Sequence, residues 1–328
     1  MTSSSTRLKW IDAARGFGII LVVYAHAARG LVLAKMLPST GWPIDVDTVV
    51  YAFHMPLFFI LAGLNIERGV ARGRRDFILN KLQTVVWPYF LWSIVHGSLK
   101  IASAGYTNNP LTPSDLFAIP IVPIEQFWFL YVLFLCQLAI AIVLPRRWLL
   151  LALTLLAVVL WCSTPNGSIF FRALHYLPYV VLGIFAPPLL ARLAARPAAQ
   201  FAVAAGAWLA FAALILPVGP PAQDALAIYA LAVLGSVGTI ATVMVLGATG
   251  RSLPWLEILG RLSMPIFLMH TIFSAATRAA LKMVGPADPV LALILVTAAG
   301  LLLPLFAYRI AVALKVTRLL GFGPPVAR

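Results

Sequence analysis

The chain has 328 residues, of which 62% are hydrophobic and 10% charged, and its mean hydropathy is +0.97. A soluble domain cannot bury so large an apolar fraction, so the composition excludes a soluble protein and predicts an all-α polytopic membrane protein. The net charge of +14 comes from 24 Lys and Arg against 10 Asp and Glu. Because most of these cations lie in short loops between apolar runs, they indicate membrane topology rather than nucleic-acid binding.

Ten apolar segments, separated by polar, proline or glycine breaks, predict about ten transmembrane helices. They cover residues 10–33, 47–66, 77–101, 124–144, 148–163, 169–191, 199–217, 223–247, 258–283 and 289–314. No segment is long or polar enough to form a separate soluble domain. We therefore expect residues 1–328 to form a single integral membrane domain. The richly basic loops all fall on one side of this arrangement, which predicts that both termini are cytoplasmic.

The first predicted helix carries two ionisable residues eleven positions apart, Arg15 and His26. Eleven residues make about three helical turns, so the two side chains share one face and lie ~16 Å apart along the axis. Ionisable groups inside a membrane are costly and mark functional candidates. At this distance Arg15 cannot hydrogen-bond to His26, so we expect it to pair with Asp12, one turn away, or to hold an anionic group.

Further polar side chains recur in the later segments. In the predicted topology all five histidines fall between the midplane and the outer face, while the arginines concentrate at the inner face. This pattern suggests a polar path from a basic cytoplasmic mouth to a histidine-lined centre. We consider His54 and Glu125 the first candidates to orient the ring of His26. Structural roles remain open: Arg15 as a membrane anchor, His26 as an interhelical hydrogen bonder and Glu125 as a helix cap.

Five segments, in chain order, resemble the conserved blocks of the membrane acyltransferase-3 family, whose first helix carries a basic residue, ten intervening residues and a histidine. They are WIDAARGFGIILVVYAH from Trp10 to His26, YAFHMPLFFILAG from Tyr51 to Gly63, WPYFLW from Trp87 to Trp92, FWFL from Phe127 to Leu130, and LGRLSMPIFLMH from Leu259 to His270. The block around His54 looks most like the fucose 4-O-acetylase-related branch. Relatives often have an Arg-x-x-Arg pair before the third-helix proline. Here that place reads KLQT from Lys81, and RGRR from Arg72 to Arg75 has the spacing but lies upstream.

The resemblance implies about ten transmembrane helices and transfer of an acyl group, commonly acetyl, to a hydroxyl of a carbohydrate or glycolipid. Acetyl-CoA would be a co-substrate, with no bound cofactor and no metal. Arg15 and His26 would be the functional residues of the first-helix motif. The partners would be the acyl-CoA donor, the acceptor and the lipid bilayer of a bacterial inner membrane.

From these residues we predict a site in which His26 acts as general base towards the acceptor hydroxyl, a role that neutral imidazole suits. Its catalytic set comprises His26, Arg15, Asp12, His54 and Glu125. The acyl-CoA donor is predicted at Arg72, Arg75, Lys81, Arg261 and Trp128, and the acceptor at His270. Three alternatives stay open: transient acylation of His26, a transporter or flippase of a lipid-linked sugar or acyl donor, and a structural or regulatory membrane subunit.

Overall fold

The computed structural model describes residues 9–104, 110–163, 167–218, 224–249, 253–285 and 288–324, and the side chains of 217 and 218 are outside this description. Within these ranges the regular structure is helical. The helices are α1 (Lys9–Leu33), α2 (Trp42–Tyr51), α3 (His54–Gly63), α4 (Ile66–Ala71), α5 (Arg74–Lys81), α6 (Trp87–Ala102), α7 (Pro113–Ala118), α8 (Trp128–Val143), α9 (Arg147–Ser163), α10 (Ile169–Phe185), α11 (Pro187–Ala194), α12 (Pro197–Val218), α13 (Ala225–Ala248), α14 (Pro254–Arg261), α15 (Ser263–Val284) and α16 (Pro289–Ala313).

Seven of these helices, or runs of helices, are long and apolar enough to cross a membrane. They are Lys9–Leu33, Trp42–Ala71, Glu125–Val143, Pro197–Leu216, Ala225–Ala248, Ser263–Val284 and Pro289–Ala313. The pair α10 and α11, bent by 54°, makes an eighth if it counts as one span. The chain is therefore an integral membrane protein with an all-helical fold, as its composition predicts. The count of about ten spans and the cytoplasmic termini stay predictions.

Several predicted helices are interrupted, and prolines explain the breaks. Pro56 cannot donate to the carbonyl of Ala52 and its ring would clash with that group, so α2 ends and α3 begins at His54. Pro88 has the same effect on the carbonyl of Thr84, and a short π-helix over Leu82–Val86 joins α5 to α6. Pro187 follows the bend between α10 and α11.

Helix α1 lies in the middle of the bundle, in contact with α2, α3, α13, α14, α15 and α16. Its crossing with α14 depends on two glycines. A Cβ on Gly16 would overlap the carbonyl oxygen of Leu256, and a Cβ on Gly260 would overlap that of Asp12. Gly63 of α3 and Gly183 of α10 make a second close backbone crossing of the same kind. Small residues at such crossings let membrane helices approach closely.

The two ends of α1 define two ends of the molecule. At the basic end, where α1 begins, lies α14, and Lys81 at the end of α5 is near Arg15 there. Helix α4 contacts α5, and its Glu67 pairs with Arg147. At the far end, where α1 finishes, Lys100 of α6 pairs with Glu125. Between the two ends the large core packs α1, α3, α8, α10 and α15 together.

Candidate active site

The ring of His26 on α1 contacts the ring of His270 on α15. Their centroids are 5.1 Å apart and the planes are inclined at 64°, an edge-to-face arrangement. His54, at the start of α3, is close enough to His26 for an electrostatic interaction. Three histidines from three helices therefore converge at one place in the bundle, which we call the histidine centre (His26, His54 and His270).

Backbone carbonyls fix the tautomers of two of these rings. Nδ1 of His270 lies 2.8 Å from the carbonyl oxygen of Phe267 and 3.1 Å from that of Ile266. Nδ1 of His54 lies 2.8 Å from the carbonyl oxygen of Val50. A carbonyl oxygen only accepts, so Nδ1 of each ring carries the hydrogen and Nε2 carries the lone pair. Nε2 of His270 is buried and has no hydrogen-bond partner among the described residues.

Among the five histidines, His26 is the most accessible. His54, His96, His175 and His270 are each less than a tenth exposed, whereas His26 is partly exposed. No hydrogen bond from the described residues occupies either nitrogen of the His26 ring. A partly open imidazole with unoccupied nitrogens is the arrangement that a general base needs to reach a substrate proton.

His96 of α6 has a different role. Its Nε2 donates to the carbonyl oxygen of Leu268 at 2.8 Å, and its Nδ1 lies 3.4 Å from the hydroxyl of Thr271. The amide of Gln126 donates to that same hydroxyl at 2.9 Å. These bonds connect α6 and the segment just before α8 to α15, and they stabilise the segment that carries His270.

An ion pair that the sequence analysis does not single out flanks the histidine centre. Arg29 lies one turn after His26, donates to Asp47 of α2 at 2.8 Å, and stacks over the Tyr51 ring with 4.0 Å to the centroid. Arg29 also interacts electrostatically with His26 and His54. The spacing of Arg29 from His26 is a signal that could have identified it, whereas its pairing with Asp47 depends on how α2 folds back.

A small cavity lies beside the face of α1 that carries Arg15 and His26. Ile19 and Val22 occupy the intervening positions on this face, and both line the cavity. Its volume is about 70 Å³, and the other lining residues come from α3, α8 and α15: Met55, Phe58, Phe129, Ser263, Met264 and Phe267. The cavity therefore extends between the level of Arg15 and the histidine centre.

Cations collect at the basic end, beyond this cavity. The ammonium of Lys81, outside the seven candidate spans, has its pKa lowered by burial and further by the charge of Arg15. Arg261 is partly buried, and its Nε has no hydrogen-bond partner among the described residues. Arg72 and Arg75 are exposed. Arg15 and Lys81 are thus close enough to repel each other, an arrangement that a bound anion would stabilise.

Of the remaining predicted site residues, Asp12 lies at the basic end, and Glu125 and Trp128 do not. Asp12 is buried where α1 crosses α14. Glu125 pairs with Lys100 at the far end, and among the described residues no contact joins it to His26. Trp128 begins α8, where Arg172 stacks over its ring with 4.8 Å to the centroid. Because α8 separates Trp128 from Arg147 and the basic end, the structure does not group Trp128 with the four predicted donor-site cations.

His175 of α10 lies in a second ring cluster, packed among Trp161, Tyr176, Tyr179 and Tyr229. The distances from its centroid to theirs range from 4.4 Å to 5.6 Å. Its Nδ1 is buried without a hydrogen-bond partner among the described residues. We call this group the aromatic cluster.

Comparison with known proteins gives one result. A family model described as an acyltransferase domain matches residues 8–309, which is most of the chain and includes every helix of the histidine centre. No curated protein and no solved structure gives a significant match.

Proposed function

The chain belongs to the acyltransferase-3 family, and from this premise we propose that it transfers an acyl group from acyl-CoA to a hydroxyl of a carbohydrate or glycolipid at or across the membrane. One observation carries the proposal. A partly exposed His26 contacts a buried His270 whose Nε2 lone pair is unoccupied, on the helix face that continues through an apolar cavity to Arg15.

In the proposed reaction His26 acts on the acceptor. Its unprotonated nitrogen removes the hydroxyl proton while the hydroxyl oxygen attacks the thioester carbonyl carbon. The carbon–sulfur bond then breaks, and the CoA thiolate takes up the proton that His26 received. The lone pair on Nε2 of His270 is available to accept a hydrogen bond from protonated His26, which would stabilise that intermediate charge. Transient acylation of His26 itself uses the same groups and remains the alternative chemistry.

The donor is proposed to bind at the basic end. The pyrophosphate and 3′-phosphate of CoA require cations, and guanidinium and ammonium groups supply them. Arg15 lies on the helix face that leads to His26, Lys81 is near Arg15, and Arg261 offers an unoccupied Nε. Exposed Arg72 and Arg75 would extend the positive potential outwards.

The acceptor is proposed to approach from the far end. There Arg29 and Tyr51 flank His54, and the pair of Arg29 with Asp47 fixes α2 beside the end of α1. The donor and the acceptor would therefore meet at the histidine centre from opposite sides. This arrangement supports transfer across the membrane. We propose that the membrane is a bacterial inner membrane, and acetyl is the first group to test.

The test uses the purified protein in lipid nanodiscs with acetyl-CoA labelled in the acetyl group. Total membrane saccharides from cells that do and do not express the protein serve as acceptors. We expect labelled ester on saccharide and an equal amount of released CoA, with no label transferred from acetate plus CoA. In proteoliposomes, a saccharide or donor that crosses unmodified, without CoA release, would instead identify a transporter.

A further inference from the structure

The cavity beside α1 differs from the rest of the site because its lining is apolar. Seven of the eight lining residues are aliphatic, aromatic or methionine, and Ser263 is the exception. Burial of an amide without hydrogen-bond partners costs several kcal/mol, so the amide groups of a pantetheine arm that runs from the basic end to His26 would lie alongside this space and not inside it. It suits a hydrocarbon.

The cavity is also adjacent to the reacting groups. Val22 lies one turn before His26, Met55 directly follows His54, and the Phe267 ring centroid is 6.1 Å from that of His270. A thioester carbonyl held at the histidine centre would therefore have its alkyl side next to this space.

Three phenylalanine rings form a rigid part of the cavity wall. Phe129 packs between Phe58 at 6.1 Å and Phe267 at 5.4 Å, both in edge-to-face arrangements. Phe58 in turn lies against the backbone of Gly18, where a Cβ would be 2.9 Å from its Cε2. Rings held by neighbours on several sides cannot move aside easily for a longer chain.

We propose that this cavity binds the acyl chain of the donor and favours chains of up to about three carbons, so that it influences which acyl-CoA the protein uses. A dry cavity of about 150 Å³ binds benzene, which has six carbons. A cavity of about 70 Å³ therefore has room for roughly half as many, an acetyl or propionyl chain. The inference rests on the proposed function, because it needs an acyl donor at the histidine centre.

The experiment measures kcat/KM for acetyl-, propionyl-, butyryl- and hexanoyl-CoA with the full chain in nanodiscs. CoA release is quantified by chromatography, because the exposed thiol of Cys162 would react with a colorimetric thiol reagent. Each methylene that does not fit is expected to lower kcat/KM by about 10-fold to 200-fold. For the wild-type protein, kcat/KM should fall between propionyl-CoA and butyryl-CoA.

Two substitutions should shift, in opposite directions, the chain length at which kcat/KM falls. Met55→Ala enlarges the cavity, so butyryl-CoA should improve relative to acetyl-CoA. Val22→Leu adds a methylene to its wall, so propionyl-CoA should lose more rate than acetyl-CoA. Met244→Ala is the matched control, because Met244 is also buried but lies in α13, outside the lining. It should lose stability like Met55→Ala while the chain-length profile stays that of the wild type.

The outcomes separate the two proposals. If the wild type used all four donors equally, the proposal that the cavity binds the acyl chain (the acyl pocket) would be wrong. It would also be wrong if Met55→Ala and Val22→Leu were active and both kept the wild-type dependence of kcat/KM on chain length. Lack of turnover of every acyl-CoA by the wild type would instead contradict the proposed function. A profile that moves in Met55→Ala and Val22→Leu but not in Met244→Ala supports the acyl pocket.

Discussion

The histidine centre and the aromatic cluster both place imidazoles inside the bundle, yet they differ in what surrounds them. At the histidine centre, carbonyls fix the rings of His54 and His270 with Nε2 unprotonated, and His26 is partly exposed. In the aromatic cluster, His175 is buried among four rings. The difference teaches that an intramembrane histidine is not in itself evidence of catalysis. A catalytic base also needs a free lone pair that a substrate can reach.

The strongest test of this comparison replaces one histidine in each region by glutamine. His26→Gln should lower the rate of acyl transfer by about 10²-fold to 10⁴-fold, the usual contribution of general base catalysis. His175→Gln should leave the rate nearly unchanged. CoA release and ester formation by folded protein in nanodiscs measure both. If the two variants lost equal activity, the distinction between the regions would be wrong.

His270 allows a sharper test within the histidine centre. His270→Gln removes the acceptor nitrogen beside His26 but retains an amide, so kcat should fall by about 10²-fold, the lower end of the same range, while the donor and acceptor KM change little. Steady-state kinetics with both substrates varied would give kcat and the two KM values separately. A rise in acceptor KM at constant kcat would show instead that His270 binds the acceptor, the role that the sequence analysis gives it.

The crossing of α3 and α10 joins the two regions, because α3 carries His54 and α10 carries His175. In Gly63→Ala the new Cβ would overlap the carbonyl oxygen of Val180. The helices must then move apart, and the free energy of unfolding should fall by about 1–3 kcal/mol. Gly206→Ala in α12 is the control, since a Cβ there has no neighbour within 4 Å. Denaturant titration in micelles measures the free energy of unfolding of both variants. Equal values for Gly63→Ala and Gly206→Ala would show that the crossing of α3 and α10 is not tight.

The smallest expected effect concerns Lys81 and the pH dependence of donor binding. Its pKa is lowered in the folded protein, so Lys81 loses its proton at a lower pH than a free lysine does. The donor KM should therefore rise severalfold as the pH increases through this lowered pKa, because the ammonium that attracts phosphate is lost. In Arg15→Gln the repulsion is absent, and the rise should move to higher pH. An identical pH profile in Lys81→Gln would show that another group titrates.

The same linkage has a consequence for stability. The unfolded chain keeps its proton on Lys81 up to the ordinary lysine range, so between the lowered pKa and that range it binds more protons than the folded protein. The free energy of unfolding therefore increases as the pH rises through this window, so the fold becomes more stable. Below the window the desolvated ammonium destabilises the fold.

Local periodicity was sufficient to predict much of this arrangement. Helix α1, its bounds within a residue, and the shared face of Arg15 and His26 follow from helical geometry alone. Each of the other predicted segments contains helix, although the prolines at 56, 88 and 187 divide or distort three of them. The contact of His26 with His270 and the pair of Arg29 with Asp47 depend on packing between distant segments. Composition and spacing do not encode them.

Helix α1 is continuous from Lys9 to Leu33, so the spacing of the side chains along it is fixed. One continuous helix fixes the separation of Arg15 and His26 at ~16 Å and holds them in phase, with Ile19 and Val22 marking the interval. A single inserted residue between them would rotate His26 by about 100° away from the shared face, although every side chain would still be present. If Arg15 binds the donor and His26 is the base, as we propose, the number of residues between them should matter for activity as much as the identity of either side chain.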